Sequence, residues 1–186
     1  MHVLPLGYRT NLDGKPNVTL QNPSTEERNG FTVTPEYFEF LNSIDPTVSI
    51  EREDTRLRQL SDLGIVALLP DNALLNDLTV VPVARSSITL QEVLDDGYRF
   101  GFGDNMSFTA TEFGGRFLQL LDSRRTLGEI IQTVKDNALD DEVNAAAIAE
   151  NERLGNSFDR FLIDEAYSFA KTLIDSGAAT FEAKAA

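Results

Sequence analysis

The sequence predicts an α+β fold made of two small modules in tandem. Three observations carry that expectation. The 186 residues are 41% apolar and 25% charged, ordinary for a folded chain and too apolar for disorder. Strand-like segments precede helix-like ones, and the order occurs twice. The stretch 31-FTVTPEYFEFLNSID-45 also returns 77 positions later as 108-FTATEFGGRFLQLLD-122. There Phe31, Thr32, Thr34, Phe40, Leu41 and Asp45 meet Phe108, Thr109, Thr111, Phe117, Leu118 and Asp122. Further on, 60-LSDLGIVAL-68 matches 173-LIDSGAATF-181 at an offset of 113, so the second copy carries 36 more residues between its matching ends. Each half alone would be only marginally stable at this size, so the halves should lean on one another. The expected division is 1–75, 76–181 and a disordered tail at 182–186.

In the first module, residues 5–21 read as a hairpin turning at Asp13-Gly14. A polar loop is expected over 22–30. Thr34 followed by Pro35 is a helix start, an N-cap hydroxyl with proline at the first helical position. The helix then carries Tyr37, Phe38, Phe40, Leu41 and Ile44 and stops at Asp45-Pro46. A second helix is expected from about Ser49 and a third over 55–64, closed by Gly64 as C-cap glycine. A short strand follows in 65-IVALLP-70. Helix, turn, helix, glycine and strand make the order of a minimal winged-helix unit.

The second module opens with the strand-like pieces VVPVAR, SITLQEVL, YRFGF and MSFT. Thr111 should cap a helix over 112–122, and Thr126 with Glu129 forms a capping box for the next. Residues 139–154 read as an additional helix, and a last one spans about 157–176, ending at Gly177. The module is thus winged-helix-like, with three N-terminal strands followed by a helical bundle.

Charge narrows the partners. Thirty acidic against 16 basic residues give a formal charge of −14, and the densest basic spot is the pair Arg124-Arg125. Phosphate backbones and anionic membranes call for the opposite balance, whereas a basic peptide or protein face suits this one. A DNA-reading winged helix needs a basic recognition helix, and 126–138 offers only Lys135 beside Asp136. No stretch is long and apolar enough for a membrane span, and the start lacks a signal-peptide pattern. Cysteine is absent, which fits a cytoplasmic setting.

Little here points to catalysis. The single histidine, His2, sits at what should be a mobile start, so neither a nucleophile–histidine pair nor an imidazole or thiolate metal site is expected. Asp140-Asp141-Glu142 lacks the alternating spacing of a calcium loop and reads as a helix start. Gly101-Phe102-Gly103 and Gly114-Gly115 are too short to cradle phosphates. The chain is therefore read as a non-enzyme without a cofactor.

The last predicted helix has more apolar surface than one contact needs. Phe158, Leu162, Ala166, Phe169 and Leu173 form one stripe at helical spacing, and Ile163, Tyr167, Ala170 and Ile174 form a second. One stripe anchors the helix on its own module. The other must be covered by a bound peptide or by the first module.

Residues 80–181 resemble the PqqD-like family, the recognition elements of ribosomal-peptide biosynthesis. The matches are Phe117, Leu118, Leu120, Leu121, Asp122, Arg125, Thr126, Glu129 and Ile130, set against a pattern near L-N-x-T-A-x-x-I-L-x-L-L-D-G-x-R-T-x-x-E-I. Thr111 replaces the asparagine, Phe113-Gly114 the threonine-alanine, and Ser123 the glycine. The first half reads as a degenerate second copy. The resemblance implies that a precursor's leader adds as a strand along the third strand and packs against the last helix. On this chain those positions are Asn105, Met106, Ser107, Phe108 and Thr109, with Phe158, Phe161, Leu162, Glu165 and Phe169 opposite. The implied partner is a separate modifying enzyme: a radical-SAM enzyme, a multinuclear non-haem iron oxidase or a cyclodehydratase. Two other classes fit the same elements, a structural adaptor using the same apolar helix face and a winged-helix DNA-binding regulator.

Overall fold

The computed structural model describes residues 1–21, 27–50 and 54–184. It is a mixed α+β structure of several small sheets and six helices. The first half runs β1 (His2–Pro5), β2 (Tyr8–Leu12), β3 (Lys15–Gln21), β4 (Arg28–Thr32), α1 (Pro35–Ser43), α2 (Thr55–Asp62) and β5 (Val66–Leu69). After a 3-10 turn at Leu75–Asp77, the second half runs β6 (Val80–Ala84), β7 (Ile88–Leu94), β8 (Gly97–Phe102), β9 (Met106–Ala110), α3 (Glu112–Gln119), α4 (Leu127–Asp140), α5 (Glu142–Arg153), α6 (Phe158–Ser176) and β10 (Ala179–Ala183).

Both halves share one plan. A first strand is followed by a three-stranded antiparallel meander, then helices, then a last strand that pairs antiparallel with the first. β1 pairs with β5, and β6 with β10. The meanders are β2-β3-β4 and β7-β8-β9, so β4 and β9 each lie at a sheet edge.

Local chemistry explains the helix starts. Thr34 Oγ1 accepts the Tyr37 N–H, Thr111 Oγ1 the Gly114 N–H, and Ser157 the Arg160 N–H. Thr126 and Glu129 close the expected box, each side chain accepting the other's backbone N–H. Lys184 also binds Glu129, and that ammonium with the Thr126 N–H holds the carboxyl below its ordinary range. Asp141 is extended (ψ 118°) and accepts the Val143 and Asn144 N–H groups, which separates α5 from α4. Gly177 ends α6 in the left-handed conformation at φ 71°.

Several expectations are corrected. α3 stops at Gln119 rather than 122, because Leu120 and Leu121 turn inward through i−3 backbone bonds to Phe117 and Leu118. Arg28–Gly30, expected in a loop, belong to β4, an edge strand without polar–apolar alternation to announce it. Ser49 and Ile50 are not helical, and the rest of the expected second helix up to 53 lies outside the described residues, as do 22–26 of the loop. Glu182 and Ala183, expected in a tail, complete β10 against Val81 and Val80.

Two hydrophobic clusters form. The smaller belongs to the first half: Val3, Val18, Leu41, Leu57, Leu60, Ile65 and Val66. The larger fills the second half and also takes Leu4, Leu6 and Leu69 from the first. Strand β1 is therefore buried on both faces, Val3 toward its own helices and His2 and Leu4 toward the other half. His2 is not mobile. It is 5% exposed, its Nδ1 lies 3.0 Å from the Pro46 carbonyl, and its ring stacks on Tyr167 of α6 at 4.3 Å. Among the described residues, no helix is long and apolar enough to cross a membrane.

Candidate functional site

Helix α6 carries three stripes, not two. Leu162, Ala166, Phe169 and Leu173 are buried in their own half. Ile163, Tyr167 and Ala170 are buried too, with Leu4, Leu6 and Leu69 of the first half in the same cluster and His2 on Tyr167. The first half is thus what covers the second stripe. Phe161, Glu165, Ser168 and Thr172 make the third, at i, i+4, i+7 and i+11. Phe161 and Ser168 on it are exposed.

This third stripe runs beside the end of β9 and the start of α3. A cleft of ≈ 270 Å³ lies there, walled by Thr109, Ala110 and Thr111 on one side and Ser168, Phe169 and Thr172 on the other. Leu94, Asp96 and Gly97 of the β7–β8 turn close one end, and Gly114 lies on the α3 side. The Thr111 hydroxyl ties the walls together, donating to Glu165 Oε2 at 2.8 Å while accepting the Gly114 N–H at 3.1 Å.

The structure sorts the sequence-predicted residues. Asn105, at φ +66°, forms the β8–β9 turn. Met106 is 51% exposed, and Ser107 and Thr109 are also exposed on the strand edge. Phe108 points inward, stacked on Phe100 at 5.7 Å and tilted against Phe102 at 5.8 Å. Phe158 and Phe161 gather with Phe113 of α3, ring centres 5.1–6.5 Å apart, and Phe161 is 44% exposed. Glu165 lies beside the cleft, where it accepts the Thr111 hydroxyl. Leu162 is fully buried, so it supports the wall from behind. Phe169 is only 3% exposed and packs edge-on against Phe117, but its ring still lines the cleft.

Sequence reasoning missed the two glycines. A glycine pair inside a helix costs about 1 kcal/mol per residue relative to alanine, a cost that signals a spatial need. At 115, a Cβ would sit 2.4 Å from the Tyr98 ring, so the glycine lets that ring pack directly against α3. At 114, a Cβ would meet Ala110, Thr111 and Phe169, three cleft residues, at 3.1–3.7 Å. Any larger side chain there would grow into the cleft.

Comparison with known protein families, with characterised proteins and with solved structures finds no match to this chain.

The electrostatics are one-sided. Arg116 pairs with Glu112, Arg160 with Asp164, and Lys171 with Asp175 and Asp45. Among the described residues, Asp96 of the cleft lining and the nearby Asp95 and Glu165 form no ion pair, so the uncompensated charge around the cleft is negative. Nor do three or more His, Asp or Glu side chains among the described residues converge as a metal ion would require. An edge strand, a polar helix stripe and an aromatic patch can bind an extended chain, and a guest with Lys or Arg suits their charge.

Proposed function

We propose that this chain is a non-catalytic recognition subunit that grips the leader of a ribosomally made precursor peptide and presents it to a separate modifying enzyme. The observation that carries the reading is an edge strand, β9, with no strand on its outer side among the described residues, lying beside a helix stripe used neither by its own core nor by the first half. An extended guest would add to β9 through backbone hydrogen bonds, and the α6 stripe would select its side chains. The PqqD-like resemblance of residues 80–181 supports the same docking strand. The two halves are then winged-helix-like modules in tandem, the second binding the peptide and the first offering the face on which the enzyme docks. That enzyme is a radical-SAM enzyme, a multinuclear non-haem iron oxidase or a cyclodehydratase. A DNA-binding role fits less well, since Lys135 of α4 is held by Asp159 at 2.7 Å.

A display library of extended peptides selected on the intact chain tests the proposal. Selected peptides should slow hydrogen exchange at 106–110, and N-methylating alternate backbone amides should cost them at least tenfold in affinity. Ser168→Tyr, an exposed substitution on the α6 stripe, should weaken them similarly. Peptides indifferent to both changes, or no selection at all, would remove the proposal.

A further inference from the structure

The second half carries a helix that the first half has no counterpart for. α5 lies within the 36-residue excess of the second copy and has no buried residue. Its Asn144, Ala147 and Ile148 line a cleft of ≈ 900 Å³ against Phe113 of α3 and Phe158 and Phe161 of α6. The three rings form an aromatic patch, and Phe161 remains 44% exposed. Large apolar side chains half in water commonly mark a contact surface.

The cleft neighbours the β9 groove along α3 and α6. Phe161 lies on the same α6 stripe as Glu165, Ser168 and Thr172, and Phe113 follows Thr111 by two residues. Eleven helical residues from Phe161 to Thr172 span about 16 Å, which an extended chain covers with about five residues. One guest can therefore touch both. The surroundings also specify charge. From Asp136 to Arg153 the chain has six acidic residues and one basic one, Arg153, which pairs with Glu150. At the cleft itself, Arg116 and Arg160 are each paired with a carboxylate. A guest seated here meets apolar rings inside a negative field.

We infer that α5 and the Phe113–Phe158–Phe161 patch form a selectivity pocket that takes a bulky aliphatic or aromatic residue of the guest peptide flanked by lysine or arginine. The inference rests on the peptide-recognition reading and adds which peptides are chosen. The apolar anchor fills the space between Ile148 and the rings. The flanking cation gains from the acidic run, an attraction that salt screens within about 10 Å at 0.1 M.

The test uses the intact chain and peptides selected from a random display library. Wild-type selections should share a bulky apolar residue with Lys or Arg within three positions. Phe161→Ser should weaken those peptides at least tenfold while leaving their sensitivity to backbone N-methylation intact. A variant with Asp136, Asp140, Glu142, Glu150 and Glu152 changed to amides, keeping the cap Asp141, should weaken them about threefold at low salt and flatten the salt dependence. Both variants alter exposed side chains, and circular dichroism checks that they fold. Peptides that bind along β9 but lack the motif, or ignore Phe161→Ser, overturn this inference alone. Absence of any N-methyl-sensitive binder overturns the recognition reading with it.

Discussion

The two halves follow one topology and differ most in the helix before their closing strand. In the first half that helix is α2, eight residues long, with only Leu57 and Leu60 buried. In the second it is α6, with 19 residues and three working stripes. Length alone creates the difference: two turns expose one useful face, whereas five turns can hold a core, an inter-half contact and a groove wall together. The clefts differ accordingly. Val33, Thr34, Tyr37 and Gln59 line a depression in the first half at positions matching Ala110, Thr111, Gly114 and Thr172 in the second. In the first, the Tyr37 hydroxyl reaches across to Gln59 and tethers α1 to α2. In the second, glycine stands in tyrosine's place, and the tie between α3 and α6 is instead the hydrogen bond from the Thr111 cap to Glu165. One shared plan thus gives a depression crossed by a tyrosine and a cleft that a glycine leaves open.

The largest expected effect comes from cutting the support between the halves. Leu4 is 1% exposed and belongs to the second half's cluster although the first half supplies it. Leu4→Ala should cost about 3 kcal/mol. Chemical denaturation should then resolve two transitions; a single unshifted one would mean the halves do not depend on each other. Next comes Gly114, beside the cleft proposed to take the peptide. Gly114→Tyr copies the first half's tyrosine and should reduce peptide affinity at least tenfold, about 1.4 kcal/mol, by calorimetric titration. Unchanged affinity would place the binding face elsewhere.

Tyr167 gives a smaller effect with a pH signature. Its hydroxyl is buried without a hydrogen-bond partner among the described residues, and burial pushes its pKa up to about 12. Between pH 10 and 12 the unfolded chain releases this proton while the folded chain keeps it, so stability falls as pH rises through that window. Tyr167→Phe should remove that decline and add about 1 kcal/mol at neutral pH, as thermal melts at pH 7 and 11 would reveal. The smallest effect concerns the matched turns after α1 and α3. Asp45 Oδ1 accepts the Thr47 N–H, and Asp122 Oδ1 accepts those of Arg124 and Arg125. Pro46 follows in the first, while Ser123 follows in the second at φ +59°. Ser123→Gly should therefore stabilise by about 0.5 kcal/mol, read as a small rise in Tm; a fall would mean that the serine side chain has a role of its own.

The legible parts of the fold were those set within a few residues. Thr34, Thr111 and the Thr126–Glu129 box announced their helices because a cap needs only its own turn, and Gly177 ended α6 for the same reason. The candidate groove was legible only in part. Met106, Ser107, Thr109, Phe161 and Glu165 reach the surface, whereas Leu162, which the resemblance put in the groove, is fully buried on the apolar stripe that periodicity marks. Gly114 and Gly115 were visible as letters, yet their purpose needed Tyr98 and Phe169, which come from distant strands and helices.

By itself the sequence determined the α+β composition, the repeated order of parts, the caps and the acidic surface, because each depends on neighbours along the chain or on a plain sum of charges. Only the tertiary structure decided that β1 pairs with β5 and β6 with β10, that His2 is buried on Tyr167, and that the first half covers the second stripe of α6. Those outcomes depend on contacts between residues scores of positions apart. A short apolar strand such as HVLP looks the same whether one face or both will be covered.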